Sequence, residues 1–178
     1  MGKTKLTYHI YGGDKKSGGI RDFIINLRGM PDTQGKVCLV GVSKFAMDMN
    51  NADYDNQNIS MMNLCWDWVA SNTYTTRNGG TVSPILASMP YTFASYHRGV
   101  DGVDDPDQQV EHPFIYQENR DLREYGVVCS CPLGNAIRFY LTKRDLTNAT
   151  FAGEDMTFTL EICIFDTRED FNKFMDKY

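Results

Sequence analysis

The chain has 178 residues, 42% hydrophobic and 23% charged, which suits one domain with a substantial core and excludes global disorder. A formal net charge of -5 excludes the Lys and Arg excess that a stand-alone nucleic-acid binder needs to neutralise phosphates. Aromatic residues make up 12%, with 10 Tyr and 10 Phe, a composition that leans towards strands.

In chain order, Thr4 to Tyr11 alternates weakly, with Leu6, Tyr8 and Ile10 on one side and Thr7 and His9 on the other. It reads as an edge strand, or as an arm that crosses to a neighbouring subunit. Gly12 to Gly19 is a glycine-rich basic loop without the Gly-Lys-Ser/Thr element of a phosphate loop. Arg21 to Arg28 supplies a strand, with Phe23, Ile25 and Leu27 alternating, ended by Gly29 and Pro31. Lys36 to Met49 is apolar on both faces, which implies burial on both or a bulge near Gly41. Ile59 to Ala70 reads as a strand, because Met62, Leu64, Trp66 and Trp68 share one parity. Arg77-Asn78-Gly79-Gly80 is a hairpin turn signal joining Asn72–Thr76 to Thr81–Ala87, since Asn and Gly accept positive φ. Tyr91 to Tyr96 is a further aromatic strand, and Arg98 to Pro113 a solvated acidic loop.

Phe114–Tyr116 and Tyr125–Cys131 then lead into a pair of strands with a long connection, read as a hairpin over Ala136–Phe165. Ile137, Phe139 and Leu141 mark one strand. Met156, Phe158, Leu160, Ile162 and Ile164 mark the other, the longest clean alternation in the chain, expected at the centre of an antiparallel sheet. The end is helical: Thr167 caps it, Glu169 and Asp170 suit its first turn, and Phe171, Phe174, Met175 and Tyr178 form a stripe. These elements predict an all-β protein, an antiparallel β-sandwich, a single jelly roll of about eight strands with a short C-terminal α-helix. The expected division is an N-terminal strand or arm and Gly-rich loop (1–19), a jelly-roll domain (20–166) and the helix (167–178).

No catalytic constellation, cofactor site or metal site emerges. Cys129 and Cys131 with His97 and His112 suggest zinc, but a Cys-Ser-Cys strand lacks the turn of chelating pairs, so plain thiols are expected. Asp104, Asp105 and Asp107 lack EF-hand spacing. Glu118 and Asp121, or Asp121 and Glu124, sit among Arg120 and Arg123 as a charged loop. Five cysteines without an apolar leader imply free thiols and synthesis in a reducing cytoplasm. No stretch is long and apolar enough to span a bilayer.

The segments Ile137-Arg138-Phe139-Tyr140-Leu141-Thr142 and Glu154 to Ile162, which reads Glu-Asp-Met-Thr-Phe-Thr-Leu-Glu-Ile, resemble the closing strands of single jelly-roll viral capsid proteins. The resemblance covers about thirty residues and carries over no functional residue. It implies a virion structural protein, a capsid, vertex or decoration subunit, partnered by itself and other capsid proteins. Many small capsid proteins carry a basic N-terminal arm, and here only Lys3, Lys5, Lys15, Lys16 and Arg21 stand near the start. Direct nucleic-acid binding is therefore not expected. The rival expectation is a lectin-like carbohydrate-binding sandwich with Trp66, Trp68, Tyr74, Tyr91 or Tyr96 facing a glycan.

Overall fold

A computed structural model describes residues 2–12, 17–19, 22–49, 61–67, 74–75, 83–90, 112–129, 134–143 and 156–176. The strands are β1 (Lys3–Tyr11), β2 (Ser17–Gly19), β3 (Asp22–Asn26), β4 (Val37–Met49), β5 (Met61–Trp66), β6 (Tyr74–Thr75), β7 (Ser83–Pro90), β8 (His112–Gln117), β9 (Val127–Cys129), β10 (Ala136–Lys143) and β11 (Met156–Phe165). Among the described residues there are two helices, α1 (Leu122–Tyr125) and α2 (Arg168–Met175).

Sheet A runs β1-β11-β4-β8, with β9 also on β4; sheet B runs β2-β3-β10-β5-β7-β6. The antiparallel pairs β1·β11, β3·β10, β4·β8 with β4·β9, and β5·β7 nest one inside the next along the chain. That nesting is a folded-back ribbon rolled into two facing sheets, which is the jelly roll. The β8 and β9 segments lie end to end along one edge of β4, so they fill one strand position between them. Strands β10 and β11 belong to opposite sheets, which corrects the hairpin expected over Ala136–Phe165. A period of two fixes which residues face the core but not which sheet a strand joins.

The core lies between the sheets. Phe23 and Phe139 of sheet B meet Phe158 of sheet A, with ring centroids 6.2 and 5.2 Å apart, and Phe45 adds a fourth ring 6.4 Å from Phe158. Strand β11 is central in sheet A, and Leu160 and Ile162 are fully buried. Strand β1 pairs with β11 over its whole length, from Lys3↔Phe165 to Tyr11↔Thr157. It is thus an edge strand of its own sheet, the first of the two readings of this segment. The ladder Tyr74↔Pro84 and Thr75↔Ser83 agrees with the predicted hairpin, whose turn at residues 77–80 lies outside the described residues.

Strand β4 reverses its facing midway. Cys38, Val40 and Val42 join the inter-sheet core, and so do Phe45 and Met47. The register against β11 shifts between Thr159↔Lys44 and Leu160↔Val42, leaving Ser43 as the extra residue of a bulge. The Ser43 carbonyl accepts from the Glu118 N–H at 2.8 Å, so the irregular backbone is satisfied. Both readings of β4 apply: it bulges two residues beyond Gly41, and its first half is buried on both faces.

The outer side of that first half is covered by the helices. Val37, Leu39, Cys163 and Phe165 point away from the main core and pack with Leu122 and Phe171. In α2 the Thr167 Oγ1 accepts from the Asp170 N–H at 3.0 Å, and Lys173 pairs with Glu169 one turn earlier at 2.6 Å. Its Phe171 and Phe174 rings lie 5.5 and 5.1 Å from Phe165. The apolar stripe of the helix therefore closes its own domain. Helix α1 sits close over β4 because residue 41 is glycine; a Cβ there would collide with Tyr125 and Leu122.

Candidate functional site

Beyond Ser43 neither helix covers the outer face of sheet A. Two rows of side chains cross its four strands in register. One row is His9, Thr159, Lys44 and Gln117; the next is Tyr11, Thr157, Ala46 and Ile115. In the second row small residues stand between two large ones, so the surface dips. The dip is a groove of about 210 Å³ lined by these eight side chains and by Ile10, Phe45, Tyr116 and Phe158 beneath. Three interstrand spacings separate its walls, about 14 Å at roughly 4.8 Å each.

The walls are unusual for this molecule. Tyr11 is 58% exposed and Ile115 66%, and they are the large hydrophobic residues exposed among the described residues. Among the described residues the groove's lining holds Lys44 and His9 but no carboxylate. The His9 Nδ1 is 3.1 Å from the Thr159 Oγ1, which fixes the ring and leaves Nε2 on its other side. The bulge sets this up: with Ser43 extra, Lys44 turns outward into the polar row while Phe45 turns into the core.

The residues singled out from sequence fall elsewhere. Trp66 is fully buried in the core, which removes it from any sugar-facing surface. The spacing that made it a strand residue, shared with Met62 and Leu64, also put it inside. Trp68, Tyr91, Tyr96, His97, Asp104, Asp105, Asp107 and Cys131 lie outside the described residues; His112 opens β8 and Tyr74 lies in β6. Cys129 is buried opposite Cys38 on the neighbouring strand, and burial pushes the Cys38 thiol up to about 12, leaving it protonated. No group of three or more His, Cys, Asp or Glu able to hold a metal ion occurs among the described residues.

The carboxylates near α1 are engaged by arginines. Glu118 accepts from the Arg120 Nε at 2.9 Å and from the Tyr116 hydroxyl at 2.7 Å, and Arg120 holds its carboxyl down at about 2. Asp121 caps α1 by accepting from the Arg123 N–H at 3.0 Å and takes the same residue's Nε at 2.7 Å. These bonds terminate β8 and start α1, a one-turn helix that the charged composition of this stretch concealed. Sequence reasoning passed over Lys44, Gln117 and Ile115. The signal that finds them is the change of parity in β4, from Val42 to Phe45.

No protein-family model matches the chain, and no curated protein matches it.

Proposed function

We propose that this protein is a structural subunit of a virion, a jelly roll that associates with itself or with other shell proteins as a capsid, vertex or decoration component. The observation that carries the reading is the strand order, β1-β11-β4-β8 facing β3-β10-β5-β7, on which the capsid-like segments Ile137–Thr142 and Met156–Ile162 occupy β10 and β11. Folds of this kind host many functions, so the strand order needs the sequence resemblance beside it.

Strand β1 supports association. It is a nine-residue strand with neither Pro nor Gly, and its far edge pairs with no described strand. Such an edge is a template for a strand from another chain, with Lys3 and Lys5 restricting which chains can approach. The opposite edge of the same sheet is divided into β8 and β9 by α1, and offers no comparable length. The acidic chain fits a shell whose genome is compacted by other components.

The test is the mass and shape of the intact purified chain. Light scattering and electron microscopy at high protein concentration should find rings, pentamers or shells. A strict monomer across that range, alone and mixed with the other shell proteins of its source, would sink the proposal.

A further inference from the structure

We infer that the groove on the helix-free half of sheet A is a binding site for a carboxylate-bearing sugar, a uronic or sialic acid residue of a glycan. The inference goes beyond a shell role, which assigns no ligand to this groove.

Charge complementarity comes first. Lys44 and His9 face the groove from one polar row, and no Asp or Glu lines it among the described residues. The cross-strand neighbours of Lys44 are Thr159 and Gln117, both neutral, and no ion pair among the described residues engages its amine. In most of the described surface the pattern is the reverse: Lys5 pairs with Glu161, Lys36 with Asp166, Arg120 with Glu118, Arg123 with Asp121, Arg138 with Asp22 and Lys173 with Glu169. A lysine with no ion pair among the described residues, facing the same groove as an exposed aromatic ring, favours an anionic ligand that also carries apolar surface.

Shape and hydrogen-bonding groups narrow the class. Thr157 and Ala46 form a floor of small side chains, and the exposed Tyr11 ring forms one wall. A pyranose presents a C–H face that stacks on an aromatic ring and a rim of hydroxyls that need donors and acceptors. The row His9, Thr159, Lys44 and Gln117 supplies those donors and acceptors. The volume of about 210 Å³ suits one sugar ring, with the rest of a glycan leaving along the trough. A helical peptide would need a continuous apolar floor, which the polar row interrupts.

The experiment titrates the intact chain at low salt with oligosaccharides ending in glucuronic acid or N-acetylneuraminic acid, and with neutral counterparts of equal length. Saturable binding of an acidic sugar, at least tenfold tighter than its neutral counterpart, is expected. Lys44→Gln should erase that tenfold preference, Tyr11→Ala should remove binding, and Tyr11→Phe should retain it, all with unchanged thermal midpoints. Equal binding of acidic and neutral sugars overturns the inference, as does no binding at millimolar concentration or binding indifferent to Lys44→Gln and Tyr11→Ala. Competition by acetate or sulfate as effective as the sugar reduces the groove to an anion site and overturns it. Tighter binding of a poly-glutamate peptide assigns the groove to acidic protein partners and overturns it too. Light scattering on the same samples reads association separately, so a monomer that binds sugar and an assembly that does not are told apart.

Discussion

One face of sheet A carries two unlike surfaces on the same strands. Before Ser43, outward residues of β4 and β11 are Val37, Leu39, Cys163 and Phe165, all buried beneath α1 and α2. After it they are Lys44, Ala46, Thr157 and Thr159, uncovered by either helix and edged by exposed Tyr11 and Ile115. Backbone pairing continues through both halves, so the sheet itself does not decide the difference. Side-chain chemistry decides it. An apolar outer row must be removed from water at about 25 cal/mol per Å², and α2 with its Phe171–Phe174 stripe does so. A polar outer row needs no helix over it: His9, Lys44 and Gln117 stay exposed, while Thr159 is screened by its neighbours and bonded to His9.

The sharpest way to break the contrast acts on the bulge. Inserting one residue beside Ser43 leaves Val42 and Phe45 four apart, so β4 keeps its faces only by giving up the bulge and sliding Phe45 and Met47 two places along β11, away from Phe158; keeping a one-residue bulge instead turns Lys44 inward and Phe45 outward. The expected outcome is loss of a soluble, cooperatively melting protein. Deleting Ser43 leaves Val42 and Phe45 both facing the core, and should give a cooperative fold with a lower midpoint. If circular dichroism melts showed the insertion unchanged, the bulge would not be what pins the register.

Next in size is a cut within the covered half. Phe165 is fully buried between β4 and the rings of Phe171 and Phe174. Phe165→Ala should cost about 3–5 kcal/mol in denaturant unfolding. A loss below about 1 kcal/mol, the ordinary range for point changes, would mean that α2 merely rests on the sheet.

Much of this architecture is legible in the sequence, because the alternation of Met156 to Ile164 and of Ile137 to Leu141 reports directly on one-sided burial. The cap at Thr167 and the stripe of α2 are equally plain. The sheet each strand joins is not legible: β10 and β11 look like a hairpin until the pairing β10·β3 and β11·β4 separates them. Trp66 shows the cost of reading residue type without parity, since the strand pattern that identified β5 also buried it. The groove was hidden for a further reason. Its rows are built from four strands distant in sequence, and no local pattern joins His9 to Gln117.

Alkaline pH should act on the covered half and the core. Burial pushes the Cys65 thiol up to about 11 and Cys38 up to about 12, while burial and the bond to Glu118 take the Tyr116 hydroxyl to about 12. Tyr125, over Gly41 on the covered half, is raised further by burial and nearby carboxylates. Ordinary values are about 9 for the thiol and 10 for the phenol. Below pH 9 folded and unfolded chains both hold these protons, and this contribution to stability is fully present. Above it the unfolded chain releases protons that the folded chain keeps, so stability falls as pH rises from about 9 towards 12. Thermal midpoints measured from pH 8 to 11 should decline past 9; a flat profile would mean these groups are not desolvated.

The smallest expected effect belongs to the helix-free half, and it completes the comparison. Ile115 is 66% exposed, so shortening it removes apolar surface that folding never took from water. Lys44 holds no ion pair among the described residues, and its amine leaves no buried partner behind when replaced. Ile115→Ser and Lys44→Gln should therefore each shift unfolding free energy by no more than about 0.5 kcal/mol. The two lie on adjacent rows, so the double variant also tests coupling: exposed side chains on a helix-free face should add, whereas a hidden contact would leave an interaction energy above about 0.5 kcal/mol. A cost approaching that of Phe165→Ala would place the groove inside the fold's own stabilising core. A cost near zero leaves the groove's shape and charge unexplained by folding, and that residue of unexplained design is what a ligand would account for.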